Sequence, residues 1–213
     1  MILLIMGPQG SGKGTQARRL AQEFGFSYFD VGAHVRRIAK TDPRINEIVN
    51  KRGALLPDSE IFEIVTKYLE DKKIYDNLII DGYPRSLKQY GLISEWFTEH
   101  GNQISKAIFL SVSDEVSVAR LSARRIDPKT GKIYNLITKK PGPEVDISRL
   151  VQREDDKPKA IYERLAHYHE TTEPLVRKLK EEGKLINVNG EGDIETIQSE
   201  IKKGIQELKD GKI

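Results

Sequence analysis

Apolar residues fall along this chain in two alternating rhythms. Five short runs are continuous: Ile2–Met6, Ser27–Phe29, Leu78–Asp81, Ala107–Val112 and Leu185–Val188. Unbroken stretches of Ile, Leu, Val and aromatic residues mark strands buried on both faces, as in a parallel sheet. Between them, apolar positions recur at helical spacing. Ala17, Leu20, Ala21 and Phe24 share one face of Thr15–Phe24, and Ile61, Ile64, Val65 and Leu69 form a stripe along Ile61–Leu69. Lys159–Glu182 is long and polar, with Ile161, Leu165, Tyr168, Leu175 and Leu179 in phase. Pro174 is expected to break or bend it. Strands alternating with helices predict an α/β fold, with a five-stranded parallel sheet and right-handed crossovers.

Two segments depart from the rhythm. Residues 30–57 form a helical excursion after the second strand. Residues 123–156 carry turn signals at Asp127-Pro128, Thr130-Gly131 and Pro141-Gly142-Pro143. Both read as insertions at the carboxyl edge of the sheet, where open α/β folds bind ligands. The expected organisation is a core of 1–29, 58–122 and 157–213 interrupted by these two segments.

Composition narrows the partners. The 213 residues include 35 basic and 32 acidic side chains, a net charge of +3, which gives no case for a nucleic-acid binder. There is no cysteine, so disulfides and thiolate metal sites are excluded and a reducing compartment fits. No run approaches a membrane span, and Ile2–Met6 is too short for a signal segment. A cytoplasmic protein is expected, without membrane contact.

The chemistry begins directly after the first strand. Gly7-Pro8-Gln9-Gly10-Ser11-Gly12-Lys13-Gly14-Thr15 joins that strand to a helix. Glycines let a backbone close around phosphates with its N–H groups inward, and the helix amino terminus adds positive potential. Lys13 supplies a point charge for the outer phosphates. The usual hydroxyl residue after the lysine is replaced by Gly14. A magnesium ion at this loop is therefore expected to rely mainly on nucleotide oxygens and water.

Gly7–Gln16 reads GPQGSGKGTQ, Asp81–Arg85 reads DGYPR, and Arg124-Arg125 precede Gly131-Lys132-Ile133-Tyr134. Arg153-Glu154-Asp155-Asp156 and Arg164 follow, with Tyr168-His169 beyond. In this order, and over almost the whole chain, the motifs resemble those of the adenylate kinase family of nucleoside monophosphate kinases. The resemblance implies a three-layer P-loop fold, a monophosphate-binding insertion at 30–57 and a lid at 123–156. It also implies a monomer that transfers a phosphoryl group from ATP to AMP with Mg²⁺.

By the same resemblance, Gly10, Ser11, Gly12, Lys13, Gly14 and Thr15 hold the donor phosphates, with Arg120 and Arg124. Ile133, Tyr134 and Gly192 line the rest of the ATP site. Arg36 and Arg85 hold the acceptor phosphate, and Gly82, Tyr83 and Pro84 complete that motif. Val31, Ala54, Leu55, Leu56 and Gln89 surround the acceptor base. Arg153 and Arg164 bridge donor and acceptor, and Asp81 orients water around Mg²⁺. Such chemistry needs several anionic oxygens neutralised at once in a dry site, and arginine is suited to it.

The sequence also departs from the family pattern. Asp30-Val31-Gly32-Ala33 stands where S-T-G-D is usual, so a hydroxyl and a carboxylate near the acceptor are missing. Asp30 and His34 are candidates to compensate, although His34 reads first as a surface helix residue. Positions that hold zinc-binding cysteines in some relatives are Asp127 and Thr130, so a lid without zinc is expected. Arg18 and Arg19 read as solvated charges, and Asp155 and Asp156 as possible helix caps. A UMP/CMP kinase is the alternative enzyme: Gln89 favours adenine, whereas Val31 weakens that preference. A nucleotide-binding regulator without catalysis is the alternative from another class, supported by Ala33 alone.

Overall fold

A computed structural model describes residues 1–51, 54–138 and 140–210. Residues 52 and 53 of the expected insertion, 139 of the expected lid and the last three core residues lie outside it. Five parallel strands form one sheet: β1 (Ile2–Met6), β2 (Ser27–Asp30), β3 (Leu78–Asp81), β4 (Ile104–Ser111) and β7 (Leu185–Asn189), in the order β2-β3-β1-β4-β7. β1 is central, and alternate residues feed two cores. Ile2, Leu4 and Met6 pack with Phe29, Leu78 and Ile80 beneath α4 (Asp58–Lys72), α5 (Leu87–Glu99) and α7 (Pro158–Glu181). Leu3 and Ile5 face the opposite way, against α1 (Lys13–Phe24) and α8 (Ile194–Lys209). The result is the expected three-layer arrangement.

β4 begins three residues before its apolar run. Lys106 is buried within it and donates from Nζ to Gly183 O at 2.6 Å, so a charged residue enters a strand because its head group finds a carbonyl. Pro174 neither breaks α7 nor ends it; the helix runs unbroken from Pro158 to Glu181. Buried Thr172, Leu175 and Leu179 hold the turns on either side, so tertiary packing outweighs the lost hydrogen bond. α5, α6 (Asp114–Ser122) and α8 add to the helices singled out by spacing, each with a side-chain cap from Ser86, Ser113 or Asp193.

Between β2 and α4 the chain forms α2 (Val31–Ile38), α3 (Pro43–Asn46) and a π-helical turn, Glu47–Lys51. Between α6 and α7 lies a two-stranded antiparallel hairpin, β5 (Arg124–Ile126) and β6 (Ile133–Asn135), followed by two 3₁₀ turns. No helix among the described residues is long and apolar enough to cross a membrane. Strand order reverses on either side of β1, so its carboxyl end opens onto the crevice where such sheets bind ligands.

Candidate active site

The loop after β1 is closed by the core behind it. A Cβ on Gly7 would lie 2.5 Å from Leu110 O, and its φ of +143° is itself glycine territory. Ser11 is fully buried, and Gly10 and Gly12 carry the turn into α1. Lys13 folds back over the loop. Its Nζ donates to Gly7 O at 2.7 Å, Pro8 O at 2.8 Å and Ser11 Oγ at 3.4 Å. Burial, helped by the charges of Arg85, Arg164 and Arg124 and opposed by Asp81, lowers its pKa to about 8.

Gly14 is closely approached by side chains. A Cβ there would sit 3.2 Å from Asp81 Oδ2, 3.3 Å from an Arg18 guanidinium nitrogen and 3.4 Å from Tyr28 Oη. Where a loop hydroxyl is usual, this chain therefore has a buried carboxylate. Tyr28 donates to Asp81 Oδ2 at 2.9 Å, and burial pushes the Asp81 carboxyl upward while Lys13 opposes the shift. Asp30 and Asp81 are register partners at the ends of β2 and β3. Thr15 follows in the first turn of α1.

Arginines converge opposite the loop. Arg85 donates from Nε to Gly82 O at 2.7 Å, and its own carbonyl accepts from Thr172 at 2.9 Å. Burial and the charges of Arg164 and Arg36 lower it to about 10. Burial, with Arg124 and Arg36, does the same for Arg153. Arg164 is lowered as well, mainly by burial. Two carboxylates hold part of this group: Asp156, fully buried, accepts from Arg124 Nε at 2.7 Å, and Asp155 lies 2.9 Å from Arg164. Among the described residues, neither Arg36 nor Arg153 has a carboxylate within ion-pair distance. Six cations (Lys13, Arg36, Arg85, Arg124, Arg153 and Arg164) thus act on one another, and the carboxylates they feel are Asp30, Asp81, Asp155 and Asp156. Mutual repulsion on this scale describes a site shaped for a polyanion.

The acceptor-side residues come together. Val31, Ala54, Leu55, Leu56 and Gln89 line one pocket, and Arg36, Gly82, Tyr83, Arg85 and Arg164 form its polar end. Pro84 lies beside it, in a second cavity that reaches Lys13, Tyr168 and Thr172. Arg153 stands outside both pockets but within the field of Arg36 and Arg124.

Donor-side residues sit on separate elements. Arg120 on α6 donates to Gly190 O at 2.7 Å and Glu191 O at 3.3 Å, which ties it to the turn holding Gly192. Ile133 and Tyr134 lie in β6, and the Tyr134 side chain is buried.

Several expectations are corrected here. His34 is half-buried on α2 rather than freely solvated: its ring meets Phe29 edge-on at 5.6 Å and Tyr68 at 4.8 Å, and burial lowers its pKa. Asp30 is occupied as the cap of α2, accepting from Ala33 N at 2.7 Å. Arg18 and Arg19 stay at the surface as expected: Arg18 is exposed with its guanidinium 5.6 Å from the Tyr28 ring centre, and Arg19 makes an exposed pair with Glu195. Asp155 and Asp156 do not cap α7, whose N-cap is Lys157 and carries no side-chain cap; they hold arginines instead. Asp127 is buried and bidentate to Arg149, at 3.2 and 2.7 Å. Tyr28 and Asp58 were invisible in sequence, because their partners lie 53 and 31 residues away.

The sequence finds a match among known proteins. The family model described as adenylate kinase covers residues 5–184. A protein of Kosmotoga olearia named adenylate kinase is 35% identical over 98% of this chain and all of its own length. Adenylate kinases of Thermotoga maritima and Pyrococcus furiosus are 36% and 35% identical, over 94% and 95% of this chain and 95% and 94% of theirs. The phosphate loop and the clustered arginines lie inside the matched span, and the chain belongs to the adenylate kinase family.

Proposed function

We propose that this chain transfers the terminal phosphoryl group of ATP to AMP, reversibly, to give two ADP. The observation that carries the reading is the group of six mutually repelling cations between the phosphate loop and a pocket with an apolar end and a basic end. The loop takes the donor phosphates, with Lys13 released from the carbonyls it now holds. Arg36 and Arg85 take the acceptor phosphate, while Val31, Leu56 and Gln89 enclose its base. Arg153 and Arg164 stand between them, and Arg120, Arg124, Ile133, Tyr134 and Gly192 complete the donor side.

An acceptor phosphate is already a nucleophile, so no protein base is needed; alignment and charge neutralisation are the work. Binding of phosphates draws Arg124 and Arg164 from Asp156 and Asp155. Closure of residues 123–156 over the site then excludes water, which would otherwise compete as acceptor.

The residues fit a magnesium ion that arrives with the nucleotide. Asp81 offers one buried carboxylate, the position after Lys13 offers no hydroxyl, and no ready-made cluster of three metal-ligating side chains exists among the described residues. When bound, Mg²⁺ neutralises the donor phosphates, with Asp81 orienting its water shell. The lid needs no zinc in this reading, because Asp127 is already satisfied by Arg149.

A coupled assay with ATP and each of AMP, CMP, UMP and GMP tests the reading. AMP is expected to be the best acceptor. Equal or faster turnover of CMP or UMP would make the chain a pyrimidine nucleotide kinase instead.

A further inference from the structure

Gln89 is buried in the acceptor pocket, and its amide orientation follows from its partners. The backbone N–H of Arg85 can only donate, so the atom 2.7 Å from it is the amide oxygen. The Asp58 carboxylate accepts, so the atom 2.8 Å from it is the amide nitrogen. Turning the amide over would set NH₂ against N–H and C=O against a carboxylate. Each partner uses half of one end, which leaves one N–H and one lone pair for the pocket.

That remaining pair matches a base whose ring nitrogen accepts beside an exocyclic amine that donates. Adenine has this edge, and cytosine shares it. Guanine and uracil present the reverse, a ring N–H beside a carbonyl. We propose that Asp58 is a specificity-determining, positioning residue: together with the Arg85 N–H it fixes the Gln89 amide so that the pocket accepts aminated bases and rejects their oxo counterparts. The inference rests on the proposed reading of this pocket as the acceptor site. Choice between adenine and cytosine belongs to the apolar walls, Val31 and Leu56 among them. Asp58 opens α4, where exposed helix N–H groups favour its charge, so a purely structural role is the competing explanation.

The test is Asp58→Asn, which is close to isosteric and replaces an acceptor-only partner with one that can also donate, leaving the Arg85 N–H as the one strict restraint on the Gln89 amide. The specificity constants for GMP and UMP relative to AMP should rise by about fivefold, the worth of one hydrogen bond, while the AMP-to-CMP ratio and the KM for ATP hold. Asp58→Ala, with melting temperature as the check on folding, gives the same reading without a side-chain amide. A loss shared equally by all four acceptors, or an AMP-to-GMP ratio unchanged in both variants, would overturn the proposal. A parent chain that prefers GMP outright would instead show the acceptor reading itself to be wrong, before any variant is made.

Discussion

Lys13 shows how a single residue is prepared for its ligand. Three oxygens of its own loop satisfy the ammonium, yet burial still holds its pKa near 8. Phosphates favour the charged form, so binding raises that pKa again. Above the free value the lysine is largely neutral and must take up a proton as ATP binds; well below it no uptake is needed. Calorimetry of ATP binding at about pH 9, in two buffers of different ionisation enthalpy, should therefore show uptake that fades toward neutrality. Lys13→Met should abolish it and reduce turnover by about a hundredfold or more, on the order of 3 kcal/mol of transition-state stabilisation. Identical heats in both buffers would place the ammonium elsewhere. Val31 makes a second residue-scale case. It is 2% exposed and lines the pocket proposed for the acceptor, where the usual pattern has a hydroxyl. Val31→Thr should lower the KM for AMP a few-fold, roughly the 0.5–1.5 kcal/mol of one hydrogen bond, and leave that for ATP unchanged. A larger effect on ATP than on AMP would contradict the placement of Val31.

Among the elements, the β5–β6 hairpin depends on polar contacts at its centre. Asp127 is 1% exposed and accepts from Arg149 and from Lys129 N, and the Arg149 hydrogen bond holds its carboxyl down to about 2. Because the folded value lies below that of a free aspartate, the pair stabilises this hairpin region above about pH 4 and is lost as pH falls toward the folded value. Asp127→Asn should lower the melting temperature of the nucleotide-free protein at neutral pH and flatten its acid-side decline. Elemental analysis should find no bound zinc, and a chelator should leave melting unchanged. Stoichiometric zinc would refute this account of the lid. Asp127 could be picked out in the sequence, since it stands at a familiar ligand position. Arg149 could not, because it arrives from 22 residues downstream. The central strands were legible for the opposite reason: both faces of β1 and β3 are buried, so their sequences had to be almost continuously apolar. Pro174 misleads because local propensity is weaker than the packing of Thr172, Leu175 and Leu179 beneath it.

For the molecule as a whole, the site is a joint product of elements that no local pattern connects. The sheet brings the end of β1 beside the end of β3, which sets the phosphate loop against Asp81 and Arg85. α2 contributes Arg36, the turn before α7 contributes Arg153, and α7 itself contributes Arg164. Motifs made these cations nameable in sequence; their repulsion, and the carboxylates that hold two of them, emerge only once the chain is folded. The central claim is that two nucleotides meet across this cluster and exchange one phosphoryl group. It is tested most directly by giving the protein only ADP and magnesium and following phosphorus resonances. ATP and AMP should appear in equal amounts, with no inorganic phosphate, until an equilibrium of all three nucleotides is reached. Release of phosphate without ATP, or ADP left unchanged, would contradict it.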